Sequence, residues 1–367
     1  MYDQYSLIYQ FDPTKSSEPY EKIQSIFTRA AMDIEYFQIG NKHFLAIANE
    51  YSRNPFNSYD QNSIIYQYNS SRATEPFEEV QAIATKGVYD IEAFEFGGNS
   101  YLAIANRFSK IPSNSLDQYS IIYKYIASRA TDPWQQIQAI STKGATDIEA
   151  FEIGGKSFLA IANYKSTVPS ESYDQNSIIY QYDATRATDP WQQIQAISTK
   201  GARDIEAFEI GGKSFLAIAN YKSTVPSESY DQNSIIYQYD ATRATDPWQQ
   251  IEAISTKGAT DIEAFEIGDK SFLAIANLYS TIPSASYDQN SIIYDRSTVS
   301  FNARNDGTTM SSIAFPTAST IPQEISLTSC TTLGCSTTTT TASTNLPDPP
   351  QSVAVRVYDD DTLQVTI

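Results

Sequence analysis

The chain has 367 residues, 41% of them hydrophobic, and a formal net charge of −18. That length and apolar fraction supply a sizeable core, while the acidic balance argues against a nucleic-acid partner, which needs clustered Lys and Arg. With 26 Tyr and 17 Phe against 3 Met and 3 Trp, the composition points to β-structure, and no run of about 18 apolar residues is present to insert in a membrane.

In chain order the first signal is a repeat. Asp-Ile-Glu begins at Asp33, Asp90, Asp147, Asp204 and Asp261, each step being 57 (90 − 33). Asp-Gln-(Asn/Tyr)-Ser keeps the same step from Asp3 through Asp60, Asp117, Asp174 and Asp231 to Asp288. A fixed period of this size marks a repeat architecture, so any functional residue is expected to recur. Tyr2-Asp3-Gln4 already sits in mid-repeat, so the chain reads as a fragment, and a missing signal peptide carries little weight.

Residues 1–32 supply two strands, at Ser6–Tyr9 and Glu21–Ile26. The unit from Asp147 to Arg203 shows the whole pattern. Asp147–Ile153 is a strand, and Gly154-Gly155 is a tight turn, since both glycines accept positive φ. Ser157–Asn163 is a second strand, apolar on both faces and so sandwiched between neighbouring sheets. A polar loop through Pro169 follows, then strands at Ser177–Tyr182 and Trp191–Ile197. The last of these carries three glutamines and is expected to be the solvated outer strand. Four hairpin-linked strands per repeat predict an all-β fold, a β-propeller of four-stranded blades. Five blades are evident if the N-terminal outer strands pair with the C-terminal inner strands and latch the ring. Residues 147–203 and 204–260 differ at two positions only, Gln195 against Glu252 and Arg203 against Thr260.

After Tyr294 the repeat stops, giving three regions: the repeats (1–294), a Ser/Thr-rich linker (295–345), and an alternating pattern (346–367) with strand-like runs at Val353–Val355 and Leu363–Ile367. The last region resembles the truncated start of a fibronectin type III domain. The only cysteines, Cys330 and Cys335, lie in the linker, either as a local disulfide or as free thiols.

The strongest candidate site is the set of Asp-x-Glu pairs: Asp33/Glu35, Asp90/Glu92, Asp147/Glu149, Asp204/Glu206 and Asp261/Glu263. Residues two apart on a strand share a face, so on innermost strands these carboxylates crowd one mouth of a channel. One reading is a hard cation, Ca²⁺ or Mg²⁺, held by oxygen ligands. The other is structural: each Asp caps a turn, and each Glu pairs with a lysine such as Lys143 or Lys200. Asp174–Ser177 and Asn163 are read as turn residues. Trp134, Trp191 and Trp248 are packing residues or ligand platforms. Asn69-Ser70-Ser71 is a glycosylation sequon. A single histidine, His43, and no Gly-rich phosphate loop leave only a carboxylate-pair hydrolase as an enzyme class. Identical pairs lack the asymmetry that distinguishes acid from base, so no catalytic residues are expected.

Trp191…Ile194-Gln195-Ala196-Ile197, Gly201-Ala202, Asp204-Ile205-Glu206-Ala207-Phe208 and Phe215-Leu216-Ala217-Ile218-Ala219-Asn220 together resemble the EAR repeat, also called EPTP. The family includes the leucine-rich glioma-inactivated proteins and thrombospondin-type laminin G/EAR proteins. The resemblance covers residues 1–294. It implies a β-propeller, typically of seven blades. It also implies a secreted or cell-surface module of protein recognition or cell adhesion, compatible with an axial calcium ion. A glycan-binding, lectin-like propeller and a structural matrix component are the alternatives.

Overall fold

A computed structural model describes residues 3–53, 57–268, 270–281, 284–287 and 289–296, together with strand backbone at 323–331, 334–342, 354–359 and 362–366. The backbone divides into two compact units, residues 1–266 with 273–293, and residues 267–272 with 294–367. All regular structure among the described residues is β.

In the first unit, β1 (Asp3–Phe11) and β2 (Tyr20–Arg29) form a two-stranded sheet. Four-stranded antiparallel sheets follow in strict chain order. They are β3 (Ala31–Ile39), β4 (Lys42–Asn49), β5 (Asp60–Tyr68) and β6 (Phe77–Lys86); β7 (Val88–Phe96), β8 (Asn99–Asn106), β9 (Asp117–Tyr125) and β10 (Trp134–Lys143); β11 (Ala145–Ile153), β12 (Lys156–Asn163), β13 (Asp174–Tyr182) and β14 (Trp191–Lys200); and β15 (Ala202–Ile210), β16 (Lys213–Asn220), β17 (Asp231–Tyr239) and β18 (Trp248–Lys257). A three-stranded sheet closes the series with β19 (Ala259–Ile267), β20 (Lys270–Asn277) and β21 (Ile292–Arg296). These are β-propeller blades, and the first strands β3, β7, β11 and β15 pack against one another in sequence as the inner row.

The local causes are legible. Gly154 and Gly155 have φ of 56° and 75°, which lets β11 turn into β12 in two residues. Gly201, between β14 and β15, has φ 56°, and a Cβ there would sit 2.9 Å from the Lys222 carbonyl oxygen, so only glycine fits the crossover to the next blade. The second strand is buried on both faces, as its sequence demands. Phe158, Ala160 and Ala162 pack towards Ile205, Leu216 and Trp248 of the next blade. Leu159 and Ile161 pack towards Tyr101, Ala103 and Ala105 of the preceding one.

The structure corrects several expectations. The third and fourth strands are longer than predicted, β13 starting at Asp174 and β14 running to Lys200, so Asp-Gln-Asn-Ser lies inside a strand. The fourth strand is less solvated than its glutamines suggest, because Gln195 is buried. Among the described residues the terminal strands do not latch: β1 and β2 pair only with each other, and β19, β20 and β21 form their own sheet. The face that Ile34 presents is therefore uncovered. Ile34 is 50% exposed, while Ile148 at the same repeat position is 2% exposed.

In the second unit, the Ser/Thr-rich linker contains an antiparallel pair, β22 (Gln323–Thr331) and β23 (Gly334–Ala342), whose register sets Cys330 opposite Cys335. Threonine's β-branched side chain favours extended backbone, which a purely compositional reading overlooks. β24 (Ala354–Asp359) pairs with β25 (Thr362–Thr366), close to the two strand-like runs expected there. Asp288 and residues 297–322 and 343–353 lie outside the described residues.

Neighbouring blades are also clamped at the outer edge. The Gln195 side chain donates to the Trp248 carbonyl at 2.8 Å and accepts the Trp248 N–H at 2.8 Å. Gln138 does the same for Trp191 and Gln81 for Trp134. Gln195→Glu keeps the acceptor and loses the donor, setting a carboxylate against a carbonyl. A loss of about 1–3 kcal/mol is expected, the usual cost of a stranded buried polar group, read as a lower urea midpoint at unchanged slope. An unchanged midpoint would show that the clamp contributes nothing.

Candidate functional site

The inner strands bring the Asp-x-Glu carboxylates together, and their first partners are backbone amides of the next blade. Asp33 accepts the Ile91 N–H at 3.1 Å, Asp90 that of Ile148 at 3.1 Å, Asp147 that of Ile205 at 2.9 Å and Asp204 that of Ile262 at 2.7 Å. The glutamates repeat the device two residues on: Glu149 accepts from the Ala207 N–H at 3.3 Å and Glu206 from that of Ala264 at 3.2 Å. Asp261 and Glu263 occupy the same positions on β19.

These bonds are to backbone N–H groups, as the structural reading expects of the aspartates, but the partners are different ones. The aspartates bond to the neighbouring sheet rather than capping a local turn. Lys143 and Lys200 do not serve the glutamates; they pair with Asp117 and Asp174. Asn163 is no turn residue either. It ends β12, accepts from the Lys143 N–H at 2.8 Å and donates to the Asn176 carbonyl at 2.7 Å, tying blade to blade and strand to strand. Among the described residues no three acidic, His or Cys side chains converge as a metal cluster.

Their electrostatics set them apart. Burial, reinforced by like charge on neighbouring repeats, raises Glu92 and Glu149 to about 8. It also raises Glu35 to about 7, despite backbone N–H bonds that pull the other way. Glu206 and Asp204 rise to about 7 for the same leading reason, burial. Asp33, Asp90 and Asp147 are raised too.

A second site sits in the loops between second and third strands. Ser166 and Ser172 bridge across the loop, as Ser109 and Ser115 and Ser223 and Ser229 do. Asp117 of the preceding blade holds the loop through Ser166 Oγ at 2.9 Å, Thr167 N at 2.9 Å, Thr167 Oγ1 at 2.8 Å and Val168 N at 3.1 Å. Burial alone would raise Asp117; Lys143 and these donors outweigh it and hold the carboxyl down at about 2. Asp174 anchors Ser223, Thr224 and Val225 in the same way. Each loop leaves one aliphatic side chain outside: Ile111, Val168 and Val225 are 63–64% exposed.

Sequence reasoning missed the Arg–Tyr cluster at the start of the inner strands. The Arg203 guanidinium lies 4.4 Å from the ring centroids of both Tyr164 and Tyr221, and Nη1 donates to the Tyr89 hydroxyl at 3.1 Å. Tyr89 belongs to a blade two repeats earlier, so this one side chain reaches over an intervening blade. Arg107 adds contacts to Tyr89 and Tyr164, 4.7 and 5.0 Å from their centroids. The available signal was that Arg203 is one of the two differences between otherwise identical repeats. The tryptophans, by contrast, are packing residues: Trp134, Trp191 and Trp248 are each 1% exposed, which removes them as ligand platforms.

The raised carboxyls set a pH dependence. Unfolded, these groups titrate near 4; folded, the values above lie near 7–8, so the folded state holds more protons in between. Their contribution to stability is full below about 4, declines as pH rises, and is lost once pH has passed through about 7–8. The melting temperature is expected to be higher at pH ~5.5 than at pH ~8.5, and the triple variant E92Q/E149Q/E206Q should flatten the difference. Equal slopes for variant and parent would assign the dependence to other groups.

The EPTP domain model matches residues 21–69, 77–126, 135–183, 192–240 and 249–297. Each match runs from the outer strand of one blade through the three inner strands of the next. The human protein "Thrombospondin-type laminin G domain and EAR repeat-containing protein" is 34% identical over 68% of this chain and 43% of its own length. "Leucine-rich repeat LGI family member 3" of Macaca fascicularis is 24% identical over 59% of this chain and 34% of its own length. The chain thus spans less than half the length of these relatives. Among solved structures, an exo-beta-1,3-galactanase from Phanerochaete chrysosporium aligns at TM-score 0.41 and 11% identity, covering 81% of this chain and 65% of its own. An alpha-L-arabinofuranosidase from Lactobacillus brevis aligns at 0.38 and 11%, covering 72% and 89%. With five EPTP matches laid over successive blades, this chain belongs to the EPTP-domain family.

Proposed function

We propose that this chain is a non-enzymatic recognition module that binds other proteins outside the cell or at its surface, using the loops between second and third strands. The observation that carries the reading is the recurrence of an exposed aliphatic side chain, Ile111, Val168 and Val225, at the tip of a loop pinned by a carboxylate of the preceding blade. Loops already fixed lose little entropy on docking, and apolar side chains held in water gain by being covered. The human relative's name pairs its EAR repeats with a thrombospondin-type laminin G domain, which suits a protein of the cell exterior.

The inner carboxylates favour binding over hydrolysis. A glycosidase needs one carboxyl held as acid and another as base or nucleophile. Here burial pushes the carboxyls from Asp33 through Glu206 the same way, and backbone amides occupy them. His43 is bonded to the Tyr36 hydroxyl at 2.8 Å and recurs nowhere. The buried tryptophans take away one of the two features behind the lectin-like alternative, the other being the recurring polar loops.

The test is binding of the full chain to an array of purified ectodomains, with calcium and with a chelator. V168D/V225D should weaken specific partners by at least about tenfold, or about 1.4 kcal/mol, while leaving the melting temperature in place. Partners that bind the double variant as well as the parent, or glycoside hydrolysis by the purified chain, would overturn the reading. Calcium that raises the melting temperature at pH ~8.5, where the inner carboxylates ionise, would add a cation to the module.

A further inference from the structure

We propose that Asn69 carries an N-linked oligosaccharide, placing a glycan at the opposite end of its blade from the docking loops. The proposal rests on the extracellular reading above, because the sugar donor is met on the secretory route. Asn69-Ser70-Ser71 is the only Asn-x-Ser/Thr sequence with a non-proline centre in the chain.

It lies in the turn from β5 to β6. The Asn69 N–H donates to the Pro76 carbonyl at 2.7 Å, and the Arg72 N–H donates to the Asn69 carbonyl at 3.1 Å, so the backbone is fixed. Asn69 Oδ1 accepts from the Ser71 N–H at 3.1 Å and from Ser71 Oγ at 2.7 Å. The nitrogen that would be modified, Nδ2, donates to Glu78 Oε2 at 3.0 Å across the exposed surface. Glu78 keeps its ion pair with Arg72 at 2.8 Å if that bond is lost. A glycan added before folding is therefore compatible with the folded turn.

The same turn recurs with one change of chemistry. Asp12 accepts from Thr14 N and Oγ1 at 2.9 and 2.7 Å, Asp183 from Thr185 at 3.0 and 2.6 Å, and Asp240 from Thr242 at 3.0 and 2.6 Å. Replacing one carboxylate oxygen by an amide nitrogen would convert Asp183-Ala184-Thr185 or Asp240-Ala241-Thr242 into a sequon. Only at Asn69 does the chain make that exchange.

The transfer uses a polyisoprenyl-diphosphate-linked oligosaccharide and its transferase. Nδ2 bonds to C1 of the first sugar as the bond from C1 to the diphosphate oxygen breaks. The amide gives up one proton and the polyisoprenyl diphosphate departs, with no change of oxidation state. The β4–β5 loop and the β5–β6 turn lie at opposite ends of β5, whose nine residues span roughly 30 Å at ~3.3 Å each. The glycan would leave the docking loops clear.

The experiment directs the full chain into the secretory route of a mammalian cell with a cleavable signal sequence, and maps glycopeptides by mass spectrometry before and after peptide-N-glycosidase. Signal cleavage certifies entry, whether the chain is exported or retained. One glycan on the parent at Asn69, none on N69Q or S71A, and a second on D183N are expected. An unmodified Asn69 on signal-cleaved chain would overturn the proposal, most sharply if the new sequon of D183N is occupied in the same cells. A glycan on the directed chain, with the endogenous protein found unmodified inside the cell, would instead sink the extracellular reading.

Discussion

Adjacent blades are separate sheets, so the array depends on side chains that reach from one sheet to the backbone of the next. Four such ties recur along the array, one of them the second-strand Asn, which accepts an amide of the preceding blade 20 residues back, as Asn163 does from Lys143. The inner Asp and Glu accept amides 58 residues on, as Asp147 does from Ile205. The third-strand Asp holds the loop 49 to 51 residues on, as Asp117 does Ser166, Thr167 and Val168. The outer Gln brackets a residue 53 on, as Gln138 does Trp191. Between these polar lines lies an apolar layer, with Phe158 and Ala160 facing one neighbour and Leu159 and Ile161 the other. Burial supplies most of the adhesion, but it is non-directional. The polar ties set the register of each blade against the next, because a slip would strand a buried amide or carboxyl.

The inner ties carry a cost that the outer ones do not. Gln is neutral, so its burial at the clamp costs little once both bonds are made. The inner carboxyls from Asp33 through Glu206 would be charged in water, and burying and crowding them raises their pKa values. Near neutral pH part of the row is protonated, and a protonated carboxyl still accepts a backbone N–H. The row can therefore remain a structural seam whose stability declines with alkalinity. Asp117, Asp174 and Asp231 on the third strands are shifted the opposite way: Lys143 and several N–H and O–H donors keep Asp117 ionised at all but strongly acidic pH. Two sets of aspartates in the same repeat thus shift in opposite directions, one through burial among like charges and the other through a lysine and several donors that outweigh burial.

Much of this fold was legible in the sequence. The period of 57, the Gly-Gly turns and the strand apolar on both faces each have a local cause that a sequence displays. What stayed hidden was the set of interactions whose partners lie far along the chain. Asn163 looks like a turn residue because Asn favours turns; nothing local says that its amide will bridge Lys143 and Asn176. Glu149 looks like an ion-pair partner for Lys143, and only the packing of strands sends that lysine to Asp117 instead. The failed latch has the same origin, since strand pairing at the ends depends on contacts that no short window contains.

The two positions at which the near-identical repeats diverge fall on these ties. Gln195 forms the outer clamp onto Trp248, and its counterpart is Glu252. Arg203 reaches over a blade to Tyr89, and its counterpart is Thr260. A blade interior is constrained by two neighbours at once, so a change there must be matched on both sides. A junction residue is constrained by what happens to lie next in the array, and that differs for the last repeats and the middle ones. Arg203 makes the point physically. Its cation–π contacts need Tyr164 and Tyr221, and its hydrogen bond needs Tyr89 two repeats back. Besides Arg203 itself, the counterparts of Tyr89 along the inner row are Met32, Thr146 and Thr260, so only a guanidinium at 203 finds a phenol two repeats back. Identity of the repeats makes the blades, and their few differences give each blade a fixed place in the order.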